Sequence, residues 1–235
     1  MTQPTARGNF WKGLRHGLPF LLVVAPFSIL FGVIATEAGL SVVQVMSFSV
    51  VVVAGAAQFT ALQLMLDDAP TLIVLATALV VNLRMAMYSA ALAPYLGAAP
   101  LWKRACMAYF NVDQTYALGQ IEYDARPDQP MATKIAYFGG VSAALCPAWY
   151  AFTYVGAVAG GQIPPEYALD FAVPITFLAL IAPSLKTLAH VAAALTSIVA
   201  ALALAWMPVG TGLIVAAILA MIVGAQVELR MGRAA

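Results

Sequence analysis

The chain has 235 residues, 63% of them hydrophobic and only 9% charged, against roughly 45–50% apolar and 25% charged in soluble domains. No single core hides that much apolar surface, so a mean hydropathy of +0.91 excludes a water-soluble globule and requires lipid to cover the remainder. A net charge of +1, a pI of about 7.8 and the lack of any basic tail or basic-aromatic stripe exclude the electrostatic footprint of a nucleic-acid binder.

At about 20 apolar residues per crossing, the length predicts an all-α polytopic membrane protein of about 6–8 transmembrane segments, forming one membrane domain over residues 1–235. Arg7, Lys12 and Arg15 precede an apolar run from Leu18 to Ala35. The run looks like a signal peptide, but Pro19, Pro26 and Gly32 interrupt it and more apolar segments follow at once. It reads as a retained first transmembrane helix whose N-terminus is cytoplasmic.

Further apolar segments run from Val42 to Leu66, Thr71 to Leu92, Ala105 to Ile121, Lys134 to Ala159, Ala168 to Ala182, Thr187 to Met207 and Val209 to Gln226. The longest polar connection, Glu122 to Thr133, carries Asp124, Arg126, Pro127, Asp128 and Pro130 and reads as a linker. Trp11, Trp102, Tyr123 and Tyr167 suit interface anchors. Cys106 and Cys146 lie in apolar runs without metal-ligand or CxxC spacing and read as free thiols.

Basic residues should mark the cytoplasmic side, yet two topologies score alike. With eight crossings, Arg7, Lys12, Arg15, Arg126, Lys134, Lys186, Arg230 and Arg233 lie inside and Lys103 and Arg104 outside. If 42–66 and 168–182 are instead re-entrant, Lys103 and Arg104 exchange sides with Arg126 and Lys134 and the balance is unchanged. Pro26, Ala35 and Gly39 fall opposite Pro147, Gly156 and Gly160 at one offset, which defines weak halves at 13–121 and 134–228. The re-entrant topology makes those halves an inverted repeat with broken helices, a plan many secondary transporters use; the eight-crossing topology makes them parallel. Gly55 in one candidate piece, and Pro174 and Pro183 in the other, suit interrupted helices.

Three polar clusters interrupt the apolar segments. In AGAAQF (54–59), Gly55 and Ala57 permit close helix packing, while Gln58 adds a donor and an acceptor that packing alone does not require. In VNLR (81–84), Asn82 and Arg84 sit within a span, where an arginine costs roughly 2.5–3.5 kcal/mol on insertion scales. Arg84 either snorkels to the headgroups or pairs. In NVDQTY (111–116), Asp113 sits mid-span beside Tyr116 and is the natural partner for Arg84, either as a static tie or as a gating group. Glu37, Asp170, Lys186 and His190 lie near segment ends, where water solvates them, and His190 has no second metal ligand at helical spacing. An intramembrane enzyme would need HExxH, a serine with a histidine partner, or paired intramembrane aspartates, and the chain has none of these. No cofactor or metal is expected.

The residues that carry this chemistry also carry a resemblance. GLRHGLPFLLVVAPFSILFGVIATEAGLS (13–41), MSFSVVVVAGAAQFTALQLM (46–65), VNLRMAMYSAALAPYL (81–96) and NVDQTYAL (111–118) resemble the AzlC family, the large subunit of branched-chain amino-acid exporters. The resemblance implies a small AzlD-type membrane partner and export of valine, leucine, isoleucine or methionine across the cell inner membrane. Met85 stands where the family often has histidine and Gln114 where it often has glutamate, so any proton coupling at those positions in relatives falls here on Asp113 alone or is absent.

The resulting expectation is an exporter of zwitterionic aliphatic amino acids. Its midplane cavity is lined by Gln58, Asn82 and Tyr116, with Arg84 for the carboxylate and Asp113, or freed carbonyls near Gly55, for the ammonium. The alternative is a structural or regulatory membrane subunit with no transport of its own, or an exporter of another small solute.

Overall fold

In lipid, each backbone N–H and C=O must be satisfied within the protein, so an apolar chain of this kind builds itself from helices. The computed structural model describes residues 5–160, 185, 187–207 and 211–232. Their regular elements are α1 (Ala6–Gly17), a 3-10 turn (Leu18–Phe20), α2 (Leu21–Glu37), α3 (Val42–Val51), α4 (Gly55–Leu66), α5 (Thr71–Leu96), α6 (Leu101–Tyr109), α7 (Asp113–Ala125), α8 (Met131–Gly160), α9 (Leu188–Ala203) and α10 (Thr211–Gly232). Among the described residues, four stretches are long and apolar enough to cross a membrane: Ala6–Glu37, Thr71–Leu96, Met131–Gly160 and Thr211–Met231. The expected segment 168–182 lies outside the described residues, as do Tyr167, Pro174, Pro183, Asp170 and Lys186.

Two compact units make up the chain, one of Met1–Gln58 with Val81–Pro165 and one of Phe59–Val80 with Glu166–Ala235. In the second unit α9 and α10 form an antiparallel hairpin, with Gly212 against Leu204 and Gly224 against Ala193. Leu195, Leu202 and Trp206 stay exposed on it, as a lipid-facing surface requires.

The first unit is organised by one long parallel pair. Phe10 faces Gly140, the His16 ring nitrogen Nδ1 lies 2.8 Å from the Tyr137 hydroxyl, Ile29 faces Gly156, and Thr36 Oγ1 donates to the Ala157 carbonyl at 3.2 Å. From Gly13 against Tyr137 and Gly17 against Ala144 to Gly32 against Thr153 and Val33 against Gly160 both positions rise, so α1 and α2 run beside α8 in the same direction. A Cβ on Gly140 would stand 2.0 Å from the Phe10 carbonyl oxygen and one on Gly156 would stand 2.1 Å from that of Ile29, so only glycine admits this crossing. His16 with Tyr137 and Thr36 with Ala157 share the offset of 121 that relates Pro26 to Pro147. Some residues related by that offset thus meet in space, and α2 and α8 run parallel.

α3 starts with a reciprocal cap, in which the Ser41 hydroxyl accepts from the Gln44 N–H and the Gln44 side chain accepts from the Ser41 N–H. Gly39, at φ +88°, turns the chain out of α2. α3 then runs back along α2, with Phe48 5.8 Å from Phe31 between ring centres, and stops at Val51. The segment 42–66 is thus broken at 52–54.

The segment Ala105–Ile121 corrects the reading as one crossing. α6 runs back along the last turns of α5, so that Asn111 donates from Nδ2 to Ser89 Oγ at 3.2 Å. α7 then runs in the direction of α5, with Tyr116 stacked on Tyr88 at 4.2 Å and Tyr123 5.6 Å from Tyr95. The chain enters from the end of the unit marked by Leu96, turns at 110–112 and leaves at the same end, which makes α6 and α7 a re-entrant pair. Thr115 pins the turn: its hydroxyl accepts from the Val112 N–H at 2.7 Å and faces the Phe110 and Val112 carbonyls at 3.1 and 2.8 Å. This second re-entry, unforeseen in either topology, is what leaves α8 parallel to α2.

That fold collects charge. Arg7, Lys12, Arg15, Lys103, Arg104, Arg126 and Lys134 all sit at the end where α1, α6 and α8 start and where α5 and α7 finish. Arg84 is the remaining lysine or arginine of this unit. The end is stitched by buried Glu122, which takes Lys12 at 2.5 Å, Gln129 at 3.2 Å and Arg126 at 3.6 Å, while Asn9 donates to Gln129 at 2.8 Å.

Candidate functional site

Two helix breaks bring the chemistry of the first unit together. α7 is 13 residues long, so its first residue, Asp113, lies about 18 Å along the helix from its last, near the middle of a hydrocarbon layer about 30 Å thick. Asp113 is the first residue of a helix, at the positive end of the α7 dipole. Arg84 Nη1 lies 3.2 Å from Asp113 Oδ2. Arg84 stands about 18 Å from the end of α5 at Leu96, beyond snorkelling reach of that end, and points to the carboxylate instead.

The pair is not sealed. The side chains keep 34% and 43% of their exposure, and Arg84 Nε and Asp113 Oδ1 have no hydrogen-bond partner. The exposed surface belongs to the other atoms of these two side chains, since Arg84 Nε and Asp113 Oδ1 are themselves buried. The stacked rings of Tyr88 and Tyr116 form the flank of the pair one turn further on.

Two of the other predicted residues, Gln58 and Gly55, meet at the break before α4. Gln58 is fully buried and donates from Nε2 to Ser49 Oγ at 2.9 Å, while its Oε1 has no partner. Gly55 is held against the Phe27 and Trp149 rings, where a Cβ would stand 2.5 and 2.8 Å from them. Asn82 lies on α5 with its Oδ1 unpaired. The structure thus brings Arg84, Asp113 and Tyr116 into one cluster and Gln58 and Gly55 into another.

Residues that the sequence reading passed over connect the two breaks. The Tyr109 hydroxyl donates to the Val50 carbonyl at 2.5 Å and lies 3.1 Å from the Tyr150 hydroxyl. Ser89, also passed over, lines a cleft beside the α6 and α7 turn together with Asn111 of the 111–116 cluster. An aromatic residue just before an Asn-x-Asp start inside an apolar run was the available signal.

At the charged end, outside the apolar segments, burial raises the Glu122 carboxyl, but hydrogen bonds from Lys12 and Gln129 and the charges of Lys12 and Arg126 outweigh burial and hold it below its ordinary value. Asp124 is also held low, first by its hydrogen bond from Tyr95 and then by Gln120. Among the described residues no three His, Cys, Asp or Glu side chains converge to hold a metal. Thr187, not a second ligand, accompanies His190, capping its backbone N–H at 3.2 Å.

Residues 19–163 match the family described as AzlC protein. An uncharacterized membrane protein of Archaeoglobus fulgidus is 29% identical over 198 residues, covering 83% of this chain and 84% of that one. Inner membrane protein YgaZ of Escherichia coli K12 is 25% identical over 187 residues, covering 76% of this chain and 74% of its own. No solved structure matches the chain.

Proposed function

We propose that this chain, which belongs to the AzlC family of membrane proteins, is the large subunit of an inner-membrane exporter of branched-chain and other aliphatic amino acids and works with a small AzlD-type partner. The observation that carries this reading is the Arg84 and Asp113 pair at the N-terminus of a half-helix, partly exposed and with one buried polar atom on each residue left without a hydrogen bond. The substrate carboxylate is taken by Arg84 and the α7 amides, and the ammonium by Asp113. Gln58, Asn82 and Tyr116 supply polar lining, and Gly55 keeps the second break narrow. The gathering of seven basic residues at one end supports a cytoplasmic N-terminus by the positive-inside rule.

Efflux from cells loaded with valine-, leucine- and methionine-containing dipeptides, expressing this chain with its small partner, tests the reading against Asp113→Asn. Accelerated efflux that disappears with Asp113→Asn at equal membrane abundance is the expected result. Unchanged efflux of every amino acid, with the two subunits assembled, would sink it and favour a structural subunit or another solute.

A further inference from the structure

A cleft of about 450 Å³ lies between the last turns of α5 and the length of α6. That volume is within the range of small-molecule sites. Its walls are Leu92, Ala93, Leu96, Met107 and Phe138, with Arg104 at the charged end of the unit and Ser89 and Asn111 at the helix break. The walls offer no polar side chain between those two ends.

Asn111 makes the cleft more than an apolar groove. It is 5% exposed, one amide atom is bound to Ser89, and its Oδ1 has no hydrogen bond. A buried acceptor left without a donor marks a place where a further donor belongs. Two residues on, Asp113 begins α7 with Oδ1 likewise unpaired. An ammonium carries three donors, and the cleft continues away from Asn111 as an aliphatic slot.

We infer that this cleft is the side-chain pocket of the transported amino acid, with Asn111 accepting from the substrate ammonium at the break and Met107 setting the depth available to the aliphatic chain. The inference rests on the exporter reading and extends it to specificity. A hydroxylated or amidated side chain finds no partner along Leu92, Leu96 and Phe138 and is rejected. Neighbouring aliphatic side chains are separated only weakly, by roughly 10–200-fold per methylene.

The test uses the full chain with its partner in a Cys106→Ser, Cys146→Ala background. Ala93→Cys, a small change on the cleft wall, is labelled with a membrane-permeant maleimide, with and without leucine or aspartate. Leucine slows labelling at least fivefold and aspartate does not. In efflux, Ala93→Phe lowers leucine export at least tenfold relative to alanine, and Met107→Ala raises phenylalanine relative to leucine at least fivefold. Asn111→Leu abolishes both fluxes, whereas Asn111→Asp, which keeps an acceptor, restores them. Export that continues with no leucine protection and unchanged substrate ratios overturns the cleft and leaves the exporter reading standing. Leucine protection without any export supports the cleft as a binding site and sinks the exporter reading. Neither protection nor export overturns both.

Discussion

Tyr109, the last residue of α6, hydrogen-bonds the carbonyl of Val50 in the last turn of α3, at 2.5 Å. Carbonyls in a final helical turn have no intrahelical partner, so one half-helix caps another that entered from the opposite end of the unit. Two breaks far apart in sequence are thereby tied at one depth. Tyr109→Phe removes that donor and strands the Val50 oxygen, at a cost of about 0.5–1.5 kcal/mol. Thermal unfolding of the purified protein checks this. Tyr109→Phe unfolds at a lower temperature than Tyr150→Phe, which spares the Val50 contact; equal midpoints for both variants and the parent refute the tie.

Adjacent glycines on α8 predict opposite outcomes. A Cβ on Gly140 meets the Phe10 carbonyl at 2.0 Å, whereas one on Gly139 meets nothing within 4 Å. Backbone cannot give way as a side chain can, so Gly140→Ala separates α1 from α8 and costs on the order of 1–3 kcal/mol or more. Gly139→Ala is tolerated and gains slightly in helix propensity. Size-exclusion profiles of detergent-solubilised protein after a heat step read the difference, and matched survival of the two variants contradicts the crossing described for this pair.

Much of this was legible in the sequence for identifiable reasons. Apolar runs of span length gave the helical segments, and the expense of charge in lipid singled out Arg84 and Asp113. The re-entrant turn was not legible as such, because Met107, Phe110, Ala117 and Leu118 keep the run apolar across it. Asn111, Asp113 and Thr115 have the chemistry of a helix start, yet inside an apolar run they read first as a reactive cluster. The basic residues balanced equally between two topologies because both assumed that 105–121 crosses. Once that segment returns, Lys103, Arg104, Arg126 and Lys134 join the same end.

Exchanging Arg84 and Asp113 separates a structural tie from a transport role. The double variant Arg84→Asp with Asp113→Arg keeps opposite charges near 3 Å apart but places a cation at the positive end of α7, which the dipole opposes. Membrane abundance and subunit assembly recover relative to either single change, while amino-acid efflux stays below about a tenth of the parent. Full recovery of efflux in the exchanged pair shows that the charges serve packing alone.

Acid loosens the charged end. The ordinary value for Glu122 is 4.5 and its folded value is lower, so its contribution to stability is full above about pH 4.5 and disappears as pH falls through the lowered value. Protonation there removes the partner of Lys12 and Arg126 between α1 and α7. Unfolding midpoints measured between about pH 3 and pH 7 fall at the acid end for the parent. Glu122→Gln is less stable at neutral pH and flatter across the range. A parent curve as flat as that of Glu122→Gln rejects the assignment.

The re-entrant pair makes a prediction about sidedness that a crossing helix cannot meet. Trp102 lies in the first turn of α6, Asp128 follows α7, and Gly39 follows α2 at the far end of the unit. If the chain enters and leaves at one end, positions 102 and 128 share a face of the membrane and 39 lies on the other. Single cysteines at Trp102, Asp128 and Gly39, in a Cys106→Ser, Cys146→Ala background, are exposed to an impermeant thiol reagent in intact cells and then in inverted vesicles. Gly39 has φ +88°, so its substitution carries strain, and Ala38→Cys serves as the alternative at the same turn. Positions 102 and 128 label together in inverted vesicles, and 38 or 39 labels in intact cells. Labelling of 102 and 128 from opposite faces establishes α6 and α7 as one crossing and removes the mid-depth helix start on which the placement of Asp113 depends. Joint labelling from the outer face keeps the re-entrant pair and reverses the orientation proposed from the basic end.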